Sequence, residues 1–525
     1  MKFFLFLLML IGAVAGFYFQ TEKQVTLQEW PVTSTKPFVI ALYARNQAPW
    51  CKKALLSIFR QNYDQHRIIA IDDGSSDETY NAIQQTVIDN HEEHRVLLLR
   101  NERPIGFLSS LYRALDSCQE LEIILPLDAK DLLASDTLLS RLNQLYQNPD
   151  VWLVSASALN YPSYERSTSH PLCFYKALFQ EIHAADFFSD GHPTPDREPY
   201  FSALRKLAGS HIAQLEEPLS LCNLATPQSP PHNPLAPPAY APLAQLPKPQ
   251  QTVGPDLLLF SFDRPMQLFA CLESIETYFT GINSISVLYR ISAESFAEAY
   301  EIVKKRFPTV HFEQQSILNP RKDFKPMVMK MVFEESSSPY ILFGVDDQVV
   351  KDYADLSFCT EQLERSGAYG FYLRFGRHIT QSYMANNLPQ MPPPPIPLTG
   401  DTFLWDLRTG EFDWAFANTV DMTIYRKSDI KKIFQKIKFR HPNSLEEQWA
   451  QHSPERHIGL YFETSKVLNL PLNVLSGSTA RNMQSLGVEE LLMSFNQGWK
   501  FDIRPLYRVE NRSPHWEFVP TMVPR

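Results

Sequence analysis

The chain has 525 residues, 44% of them hydrophobic and 12% aromatic, and its 49 basic and 58 acidic side chains give a formal net charge of −9. This is a globular composition with room for about two to four domains, which excludes wholesale disorder and collagen-like repeats. The acidic balance provides no basic stripe that could neutralise a phosphate backbone, so no nucleic acid partner is expected.

The six cysteines are far apart and form no C-x-x-C pair, which argues against a thiolate zinc site and against a dithiol redox motif. An even number of cysteines permits disulfides without indicating them. We expect these residues to be buried small apolar side chains. They are Cys51, Cys118, Cys173, Cys222, Cys271 and Cys359.

The N-terminus is a membrane-directed segment. An uncharged apolar run extends from Phe3 to Phe19, with Lys2 before it, and Ala13-Val14-Ala15 offers a small-x-small cleavage site. Residues 1–20 are therefore predicted to be either a membrane anchor or a cleaved signal peptide, which makes the protein membrane-associated or exported. Lys2 favours a chain whose body lies across the membrane from the cytoplasm.

Residues 36–225 contain four short apolar runs separated by stretches with helical periodicity. The runs begin near positions 38, 67, 95 and 122, and a spacing of about 28 residues is that of a βα unit. Between the first two runs, apolar side chains at positions 51, 54, 55, 58 and 59 form one face of a helix. This segment is predicted to be an α/β domain with a mainly parallel, Rossmann-like sheet.

A proline-rich linker follows at residues 226–252, with nine prolines between Pro227 and Pro249 and almost no charge. The same rhythm restarts in residues 253–525, with apolar runs near positions 256, 284, 309 and 340. A helix is expected to begin at Pro265 and to end before Gly281. The sequence therefore predicts two α/β domains of related plan.

Acidic residues follow two strands of the first predicted sheet. Asp72 and Asp73 follow the second run, and Asp128 and Asp131 follow the fourth. Ligands bind beyond the carboxyl ends of strands in open parallel sheets, and carboxylates there hold a divalent cation, accept hydrogen bonds from a ligand or act as a base. Turn and helix-capping chemistry is the alternative explanation of each cluster. We expect Asp73 to lie at the rim of a cleft.

The ordered motifs of residues 36–225 resemble the nucleotide-binding half of family 2 glycosyltransferases with the GT-A fold. They read ALYARNQAPWCKKALLSIFRQNYDQHRIIAIDDGSSDET, NERPIGFLSSLYRAL and ILPLDAKDLLASD. The resemblance implies that Asp72 and Asp73 contact the base and ribose of a nucleotide-sugar donor. It also implies that Asp128 and Asp131 bind Mg²⁺ or Mn²⁺ bridging the donor diphosphate.

One position departs from the family pattern. Where the family usually reads Asp-x-Asp-Asp, this chain has Lys130 at the third position. A cation there weakens metal binding. Either the metal is weaker or absent and the Lys130 ammonium takes over part of its role at the diphosphate, or this domain does not transfer sugar. By its position in the chain, Asp196 is the acceptor base that the resemblance implies. Glu198 is the second choice, and an ordinary surface loop is the alternative explanation of this segment.

The second segment resembles the same fold more distantly, in LLLFSFDRPMQLFACLESI and YILFGVDDQVV. Asp346 and Asp347 are therefore candidate metal or diphosphate ligands. Glu447, or its neighbour Glu446, is a candidate acceptor base, although first-turn glutamates of a helix capped by Asn443 or Ser444 explain the same cluster.

Two further features belong to the second segment. His378 and His515 could each add a metal ligand. The motif Tyr289-Arg290-Ile291-Ser292 stands where an Asp-Asp-Gly-Ser loop would recognise the base, which leaves base recognition open there.

We therefore expect two tandem GT-A-like domains that transfer a sugar from a nucleotide-sugar donor to a hydroxyl of a glycan, lipid or protein, with a membrane contact through the N-terminal segment. Metal dependence is expected in the second domain, where Asp346 and Asp347 are adjacent without an intervening cation. The alternative is a catalytically degenerate glycosyltransferase-like protein that binds a nucleotide or a glycan. A nucleotidyltransferase is disfavoured, because residues 43–46 provide no glycine-rich basic loop.

Overall fold

The computed structural model describes residues 32–161, 163–167, 171–189, 192–194, 197–223, 239–247, 253–473 and 486–525. The apolar segment Phe3–Phe19 and most of the proline-rich linker lie outside these ranges. Within them, no helix combines the length and the apolar character needed to cross a membrane.

The described residues form two compact units. Unit 1 contains those up to Ile182 and those between Thr194 and Pro249, and unit 2 contains those of His183–Pro193 and those from position 253 onward.

The strands are numbered in chain order. They are β1 Phe38–Ala44, β2 His66–Asp72, β3 Val96–Arg100, β4 Ile123–Asp128, β5 Leu132–Leu133, β6 Leu153–Tyr161, β7 Leu172–Tyr175, β8 Phe188–Ser189, β9 His192–Pro193, β10 Ile212–Asn223, β11 Asp256–Phe262, β12 Phe279–Thr280, β13 Ser284–Arg290, β14 His311–Gln314, β15 Tyr340–Val345, β16 Gln348–Val350, β17 Ala354–Asp355, β18 Gly370–Tyr372, β19 Gln381–Ser382, β20 Leu388–Pro389, β21 Ile396–Thr399, β22 Thr402–Asp406, β23 Thr423–Arg426, β24 Ile458–Phe462, β25 Val467–Asn469, β26 Trp499–Phe501 and β27 Met522–Pro524.

The helices are numbered in the same way. They are α1 Ala48–Phe59, α2 Thr79–Asp89, α3 Phe107–Leu115, α4 Leu138–Leu145, α5 Lys176–Phe179, α6 Glu198–Ala208, α7 Pro265–Tyr278, α8 Ala297–Arg306, α9 Pro320–Phe333, α10 Leu356–Ser366, α11 Lys427–Lys436, α12 Pro442–Trp449 and α13 Val488–Asn496. Short 3-10 turns occur at Ala184–Phe187, Glu294–Phe296, Leu407–Thr409, Phe412–Ala415 and Arg504–Leu506.

Unit 1 contains an eight-stranded sheet of order β3-β2-β1-β4-β7-β6-β10-β5. The first four strands in this order are parallel to one another, and β7 is antiparallel to both of its neighbours. All seven residues of β1 except Tyr43 are buried, as expected for a central strand covered on both faces. The predicted strands and the mainly parallel sheet of the first domain are thereby confirmed.

The helix α1 packs its predicted apolar face into the core of unit 1. Cys51, Ala54, Leu55 and Ile58 are fully buried on this face, and they belong to one cluster with residues of β1, β2 and β4. The spacing of these side chains at three and four residues is what brings them to the same side of the helix.

Unit 2 contains a nine-stranded sheet of order β14-β13-β11-β15-β23-β18-β24-β22-β21. The strands β14, β13, β11 and β15 are parallel, β23 is antiparallel to both neighbours, and β18 and β24 are parallel again. Seven consecutive strands therefore have the same order and directions as β3-β2-β1-β4-β7-β6-β10 of unit 1. The helix α7 begins at Pro265 and ends before Gly281, as the sequence predicts.

The core of unit 2 is rich in aromatic side chains. Trp405, Trp414 and Trp449 are among its largest fully buried residues. All six cysteines lie within the described ranges and none forms a disulfide; five are buried and Cys222 is half-buried, which confirms the expectation for them.

Candidate active site

The carboxylate of Asp73 follows β2 and is completely buried. Its Oδ1 accepts hydrogen bonds from the Asn101 side chain and the Ile105 backbone N–H, each at 2.8 Å, and its Oδ2 accepts from the Tyr43 hydroxyl at 2.8 Å and the Gly106 N–H at 3.0 Å. The prediction that Asp73 lies at a cleft rim is therefore wrong: the side chain joins β1 to the segment before α3. Four donors from the protein occupy the oxygens that were expected to contact a nucleotide.

Asp72 is also buried, and its role is local. Its Oδ1 accepts a hydrogen bond from the Ser75 N–H at 3.2 Å, and the Arg100 guanidinium lies 3.2 Å from Oδ2. Gly74, between these residues, has φ +60°. A β-carbon there would lie 2.5 Å from the carbonyl carbon of Arg103, so the backbone of this loop and that of the segment after β3 are in direct contact.

Asp128 is the last residue of β4, at the same carboxyl edge of the sheet. Its Oδ2 receives the Arg197 guanidinium at 2.7 Å, and its Oδ1 accepts from the Gln47 side chain at 2.5 Å and from the Lys130 N–H at 3.2 Å. The carboxylate is 8% exposed. Both of its oxygens are thus used by donors from the residues that directly precede α1 and α6 and from the following turn.

Arg197 is a site residue that the sequence analysis missed. It directly precedes α6, and its guanidinium lies 4.1 Å from the centre of the Phe107 ring and 5.2 Å from that of Tyr43. These rings hold the planar group by cation–π contacts while Asp128 pairs with one of its nitrogens. Within the described ranges, its Nε and Nη1 atoms donate to no other residue, and the side chain is 31% exposed.

Lys130 and Asp131 complete this edge of unit 1. Asp131 accepts a hydrogen bond from the Asn223 N–H at 2.9 Å, and burial together with the neighbouring Asp128 charge raises its pKa to about 6. Lys130 is half-buried, and its ammonium forms no ion pair with a described residue. Two cationic side chains, Lys130 and Arg197, therefore lie at the acidic motif.

This arrangement does not fit the divalent cation that the family resemblance implies for Asp128 and Asp131. A hard cation needs several free oxygen ligands, whereas Asp128 is already paired with Arg197 and bonded to Gln47. No group of three or more His, Cys, Asp or Glu side chains that could hold a metal occurs in the part of the chain that the structure describes.

The structure describes one of the two acceptor-base candidates of unit 1. Asp196 lies outside the described residues. Glu198, the second choice, is the first residue of α6 and pairs at its exposed surface with Arg205, at 2.8 Å. Its carboxylate is 61% exposed.

In unit 2, the adjacent carboxylates of Asp346 and Asp347 follow β15. The guanidinium of Arg264 lies 3.1 Å from Asp346 and 3.4 Å from Asp347, and it also donates to the side-chain oxygen of Asn473 at 2.9 Å. The second oxygen of Asp346 accepts from the Phe262 N–H at 3.1 Å. Burial raises the pKa of Asp347 to about 7, with Arg264 opposing the shift and the Asp346 and Asp421 charges adding to it.

Asp421 is a third acidic residue at this edge, two residues before β23. Its Oδ1 accepts from the side chains of Gln348 at 2.8 Å and Asn469 at 3.2 Å, and its Oδ2 accepts from Arg374 at 3.1 Å. Arg374 is 2% exposed and Asn469 3% exposed. This network was not predicted as a unit, because its members come from four separate segments of the chain.

Of the two candidate bases on α12, the structure brings Glu446 into the network. Its Oε1 accepts from the Thr419 hydroxyl at 2.7 Å and the Val420 N–H at 2.8 Å, and burial, followed by the Asp421 charge, raises its pKa to about 7. Glu447 is exposed to solvent.

The cap of α12 also differs from the expectation. The N-cap is His441, whose ring accepts from the Ser444 N–H while the Ser444 hydroxyl accepts from the His441 N–H. Asn443 and Ser444 are therefore not the N-cap, because the helix begins two or three residues earlier than the glutamate pattern suggested.

The two candidate histidines have different environments. His378 lies 3.1 Å from the Ser465 hydroxyl, and burial lowers its pKa to about 4. His515 stacks on Tyr383, with ring centres 5.7 Å apart, and burial lowers its pKa, with the Asp421 charge opposing the shift. Its Nδ1 has no hydrogen-bond partner among the described residues. His515 therefore lies in the Asp421 network, and His378 does not contact it.

The Asp346–Asp347 pair does not fit a divalent cation as it stands. Both oxygens of Asp346 have protein donors, and Arg264 places a positive charge between the two carboxylates. The described part of unit 2 likewise contains no metal-binding group of three His, Cys, Asp or Glu side chains.

Unit 1 is an α/β unit with polar residues at the carboxyl edge of its parallel strands. This edge is where open parallel sheets bind their ligands. Residues 38–208 match the family model described as "Glycosyl transferase family 2". The resemblance of this region to family 2 is thereby confirmed.

Two individual glycosyltransferases are similar to part of this chain. A bifunctional glycosyltransferase, pgtA, from Dictyostelium discoideum is 25% identical over 222 residues, covering 37% of this chain and 27% of the relative, so this chain spans only about a quarter of that protein. The mannosyltransferase PcManGT from Pyrobaculum calidifontis, in complex with GDP-Man and Mn²⁺, aligns at 18% identity with a TM-score of 0.32, covering 42% of this chain and 66% of the other.

A third comparison gives a similar result. Residues 1–349 of TarS from S. aureus align at 14% identity with a TM-score of 0.30, covering 36% of this chain and 60% of the other.

Proposed function

We propose that unit 1 transfers a sugar from a nucleotide-sugar donor to a hydroxyl group of a glycan, lipid or protein. The observation that carries this proposal is the pairing of Arg197 with Asp128 at the carboxyl edge of the sheet, within the region that matches family 2. The name of the Dictyostelium relative, a bifunctional glycosyltransferase, supports the same class of reaction.

The donor diphosphate would be bound by Arg197 and Lys130. A guanidinium has five N–H donors, and Asp128 takes only one side of the Arg197 group, so the remaining donors are available to phosphate oxygens. The ammonium of the half-buried Lys130 adds a second positive charge at the same motif. Asp128 is then a positioning residue that fixes the guanidinium.

The proposed reaction consists of one proton transfer and the replacement of the bond between sugar and diphosphate by a bond between sugar and acceptor oxygen. The acceptor oxygen attacks the anomeric carbon, a carboxylate takes the hydroxyl proton, and the bond to the diphosphate breaks so that the nucleoside diphosphate leaves with the electron pair. Positive charge beside the diphosphate stabilises the leaving group as its charge develops. Asp196, which directly precedes Arg197 in the chain, is our proposed base.

Two alternatives remain as outcomes of the test. Recruitment of Mn²⁺ or Mg²⁺ at Asp128 and Asp131 would require Arg197 to leave Asp128. A degenerate domain that binds a nucleotide without turnover is favoured by the presence of Lys130 where the family usually has an acidic residue.

The test is a panel of UDP- and GDP-sugars, with turnover and binding measured for the full chain in EDTA and in Mn²⁺. We expect turnover of at least one donor in EDTA, and a loss of at least tenfold in Lys130→Ala. Arg141→Ala, which removes an exposed arginine paired with Glu217 in the same unit, is the matched control and should leave turnover unchanged. Turnover only with Mn²⁺ would contradict the diphosphate assignment, and binding without turnover would support the degenerate alternative.

We also propose that unit 2 is a GT-A-like domain and that residues 1–20 attach the protein to a membrane or direct its export. The first proposal is supported by the seven strands that repeat the order and directions of unit 1. The second is supported by the apolar run Phe3–Phe19. Fractionation of cells that express the full chain, with and without residues 1–20, tests the second.

A further inference from the structure

The Asp421 network of unit 2 contains polar atoms that the protein does not satisfy. These atoms are Asp347 Oδ1, Asn469 Oδ1, His515 Nδ1 and Arg374 Nε, and each is buried without a hydrogen-bond partner in the described structure. Buried polar groups are normally paired, because an unpaired one loses its bonds to water without replacement. Four such atoms around one carboxylate indicate a place where a ligand completes the bonding.

The backbone brings these side chains to one place. Asn469 is the register partner of Gln348 in the β16–β25 pair, and the next residue, Leu470, donates its N–H to the Asp347 carbonyl at 2.8 Å. On its other side Asn469 forms a β-bridge with His515. The side chains of Asp347, Asn469 and His515 therefore belong to three adjacent backbone segments at the carboxyl end of β15.

The orientation of the Asn469 amide is set by the protein. Its nitrogen donates to Asp421, so the oxygen is the atom left over, in a residue that is only 3% exposed. Arg374 is fixed in the same manner, with one terminal nitrogen on Asp421 and its Nε unpaired. Asp421 itself has donors on both oxygens and serves to hold these two groups in place.

The chemistry of the unpaired atoms selects the ligand. A carboxylate oxygen and an amide oxygen only accept hydrogen bonds, and the neutral imidazole of His515 can accept at Nδ1, whereas Arg374 Nε only donates. Vicinal hydroxyl groups match this set, because each hydroxyl can donate to one of the acceptors and accept from the guanidinium. A metal ion matches it less well, since Arg264 and Arg374 both place positive charge at the network.

We propose that Asp347, Asn469, His515 and Arg374 form a second ligand site of this protein, in unit 2, that binds the hydroxyl groups of a sugar. This proposal goes beyond the transfer reaction proposed for unit 1 and does not depend on it. The sugar could be part of a glycan or part of a sugar nucleotide, because both present the same hydroxyl groups.

The experiment uses the full chain with the double substitution Lys130→Ala and Arg197→Ala, which removes the proposed diphosphate contacts of unit 1. Saturation-transfer NMR and calorimetry are carried out in EDTA with the methyl glycosides of glucose, galactose, mannose, fucose and N-acetylglucosamine, and with UDP- and GDP-sugars. We expect at least one probe to bind. Binding of a methyl glycoside indicates a glycan as the source, and binding of a nucleotide conjugate alone indicates a donor.

Three variants made in this background locate the binding. Asp347→Asn and Asn469→Ala should each weaken binding at least tenfold. Asp352→Asn is the matched control, because that carboxylate has Arg508 on one oxygen and Lys466 on the other, and binding should change less than twofold. Thermal unfolding shows whether each variant is folded. If Asn469→Ala does not fold, the nearly isosteric Asp347→Asn decides.

Three results would overturn the proposal: no binding of any probe to the folded protein, binding that appears only with added divalent cation, or equal affinity in Asp347→Asn and its parent. None of them depends on turnover by unit 1. Failure of the transfer reaction and failure of this second site are therefore separately visible.

Discussion

Each unit places an arginine on the carboxylates at the carboxyl edge of its sheet, but the two arginines differ in how much of their bonding the protein consumes. Arg264 is 11% exposed, and its guanidinium contacts Asp346, Asp347 and Asn473. Arg197 is 31% exposed and has one polar partner among the described residues, Asp128.

The difference suggests that the arginine–aspartate pair stabilises the fold in unit 2, whereas in unit 1 it holds an arginine that can contact a ligand. A buried guanidinium with several partners has no donors to spare, and removing it leaves charges without compensation. A partly exposed one, held by aromatic rings and one carboxylate, keeps donors that face solvent. The predictions that follow test this distinction.

The largest effect is expected from Arg264→Ala. The substitution leaves the buried carboxylates of Asp346 and Asp347 unpaired, and loss of one partner of a buried pair costs about 3–5 kcal/mol. Calorimetry of the full chain should show a lower unfolding temperature for the transition assigned to unit 2. Arg197→Ala is the matched control and should lower stability by less than about 1 kcal/mol. Equal destabilisation by both would break the comparison.

Arg197→Ala should instead act on ligand binding. We expect UDP or GDP, whichever binds the wild type, to bind at least tenfold more weakly in EDTA, since a charge-assisted contact to phosphate is lost. Arg197→Lys should recover part of the affinity, because it restores the charge without the planar fork. Isothermal titration measures both. Unchanged affinity in the alanine variant would show that Arg197 only stabilises Asp128.

Glu446→Gln tests the buried carboxyl of α12 through pH. The pKa of Glu446 is raised to about 7 in the folded state, so the folded protein binds a proton there that the unfolded chain has released above about pH 4.5. The stabilisation present at low pH is lost as the pH rises through 7. Glutamine keeps the oxygen that accepts from Thr419 and Val420 and cannot ionise.

Relative to wild type, the Glu446→Gln variant should therefore gain about 1–2 kcal/mol of stability between pH 5 and pH 8. Chemical denaturation at the two pH values gives this difference directly. A difference that is independent of pH would mean that Glu446 ionises normally in the folded protein.

The smallest effect is expected from Glu198→Gln. Glu198 pairs with Arg205 at the surface of α6, and its carboxylate is 61% exposed, so the substitution should change the free energy of unfolding by less than about 0.5 kcal/mol. Turnover should also be unchanged, since Asp196 is the proposed base. A large loss of turnover with unchanged stability would transfer that role to Glu198.

Much of the fold follows from local patterns. The eight predicted apolar runs became β1–β4 in unit 1 and β11, β13, β14 and β15 in unit 2, because a short apolar run between helical stretches has few other ways to be buried. Asp72, Asp128 and Asp346 could be placed at the carboxyl edges of the sheets for the same reason.

The partners of these carboxylates could not be predicted. Arg197 and Asp128 are 69 positions apart, and Arg264 and Asp346 are 82 apart, so no periodicity connects them. The one available signal was that Arg264 lies two residues after the end of β11, at the same edge as Asp346. The burial of Asp73 was missed because its four donors come from β1 and the segment before α3, which approach it only in the folded chain.

The contact of Gly74 with the backbone at Arg103 and Pro104 has a consequence for altering specificity. A β-carbon at position 74 would lie 2.5 Å from Arg103 and 2.6 Å from Pro104, so the two loops leave no room for a side chain at this position. A larger residue at position 74 would therefore require the backbone of one of these loops to shift. Lys130, which is half-buried, is a more accessible position for altering specificity.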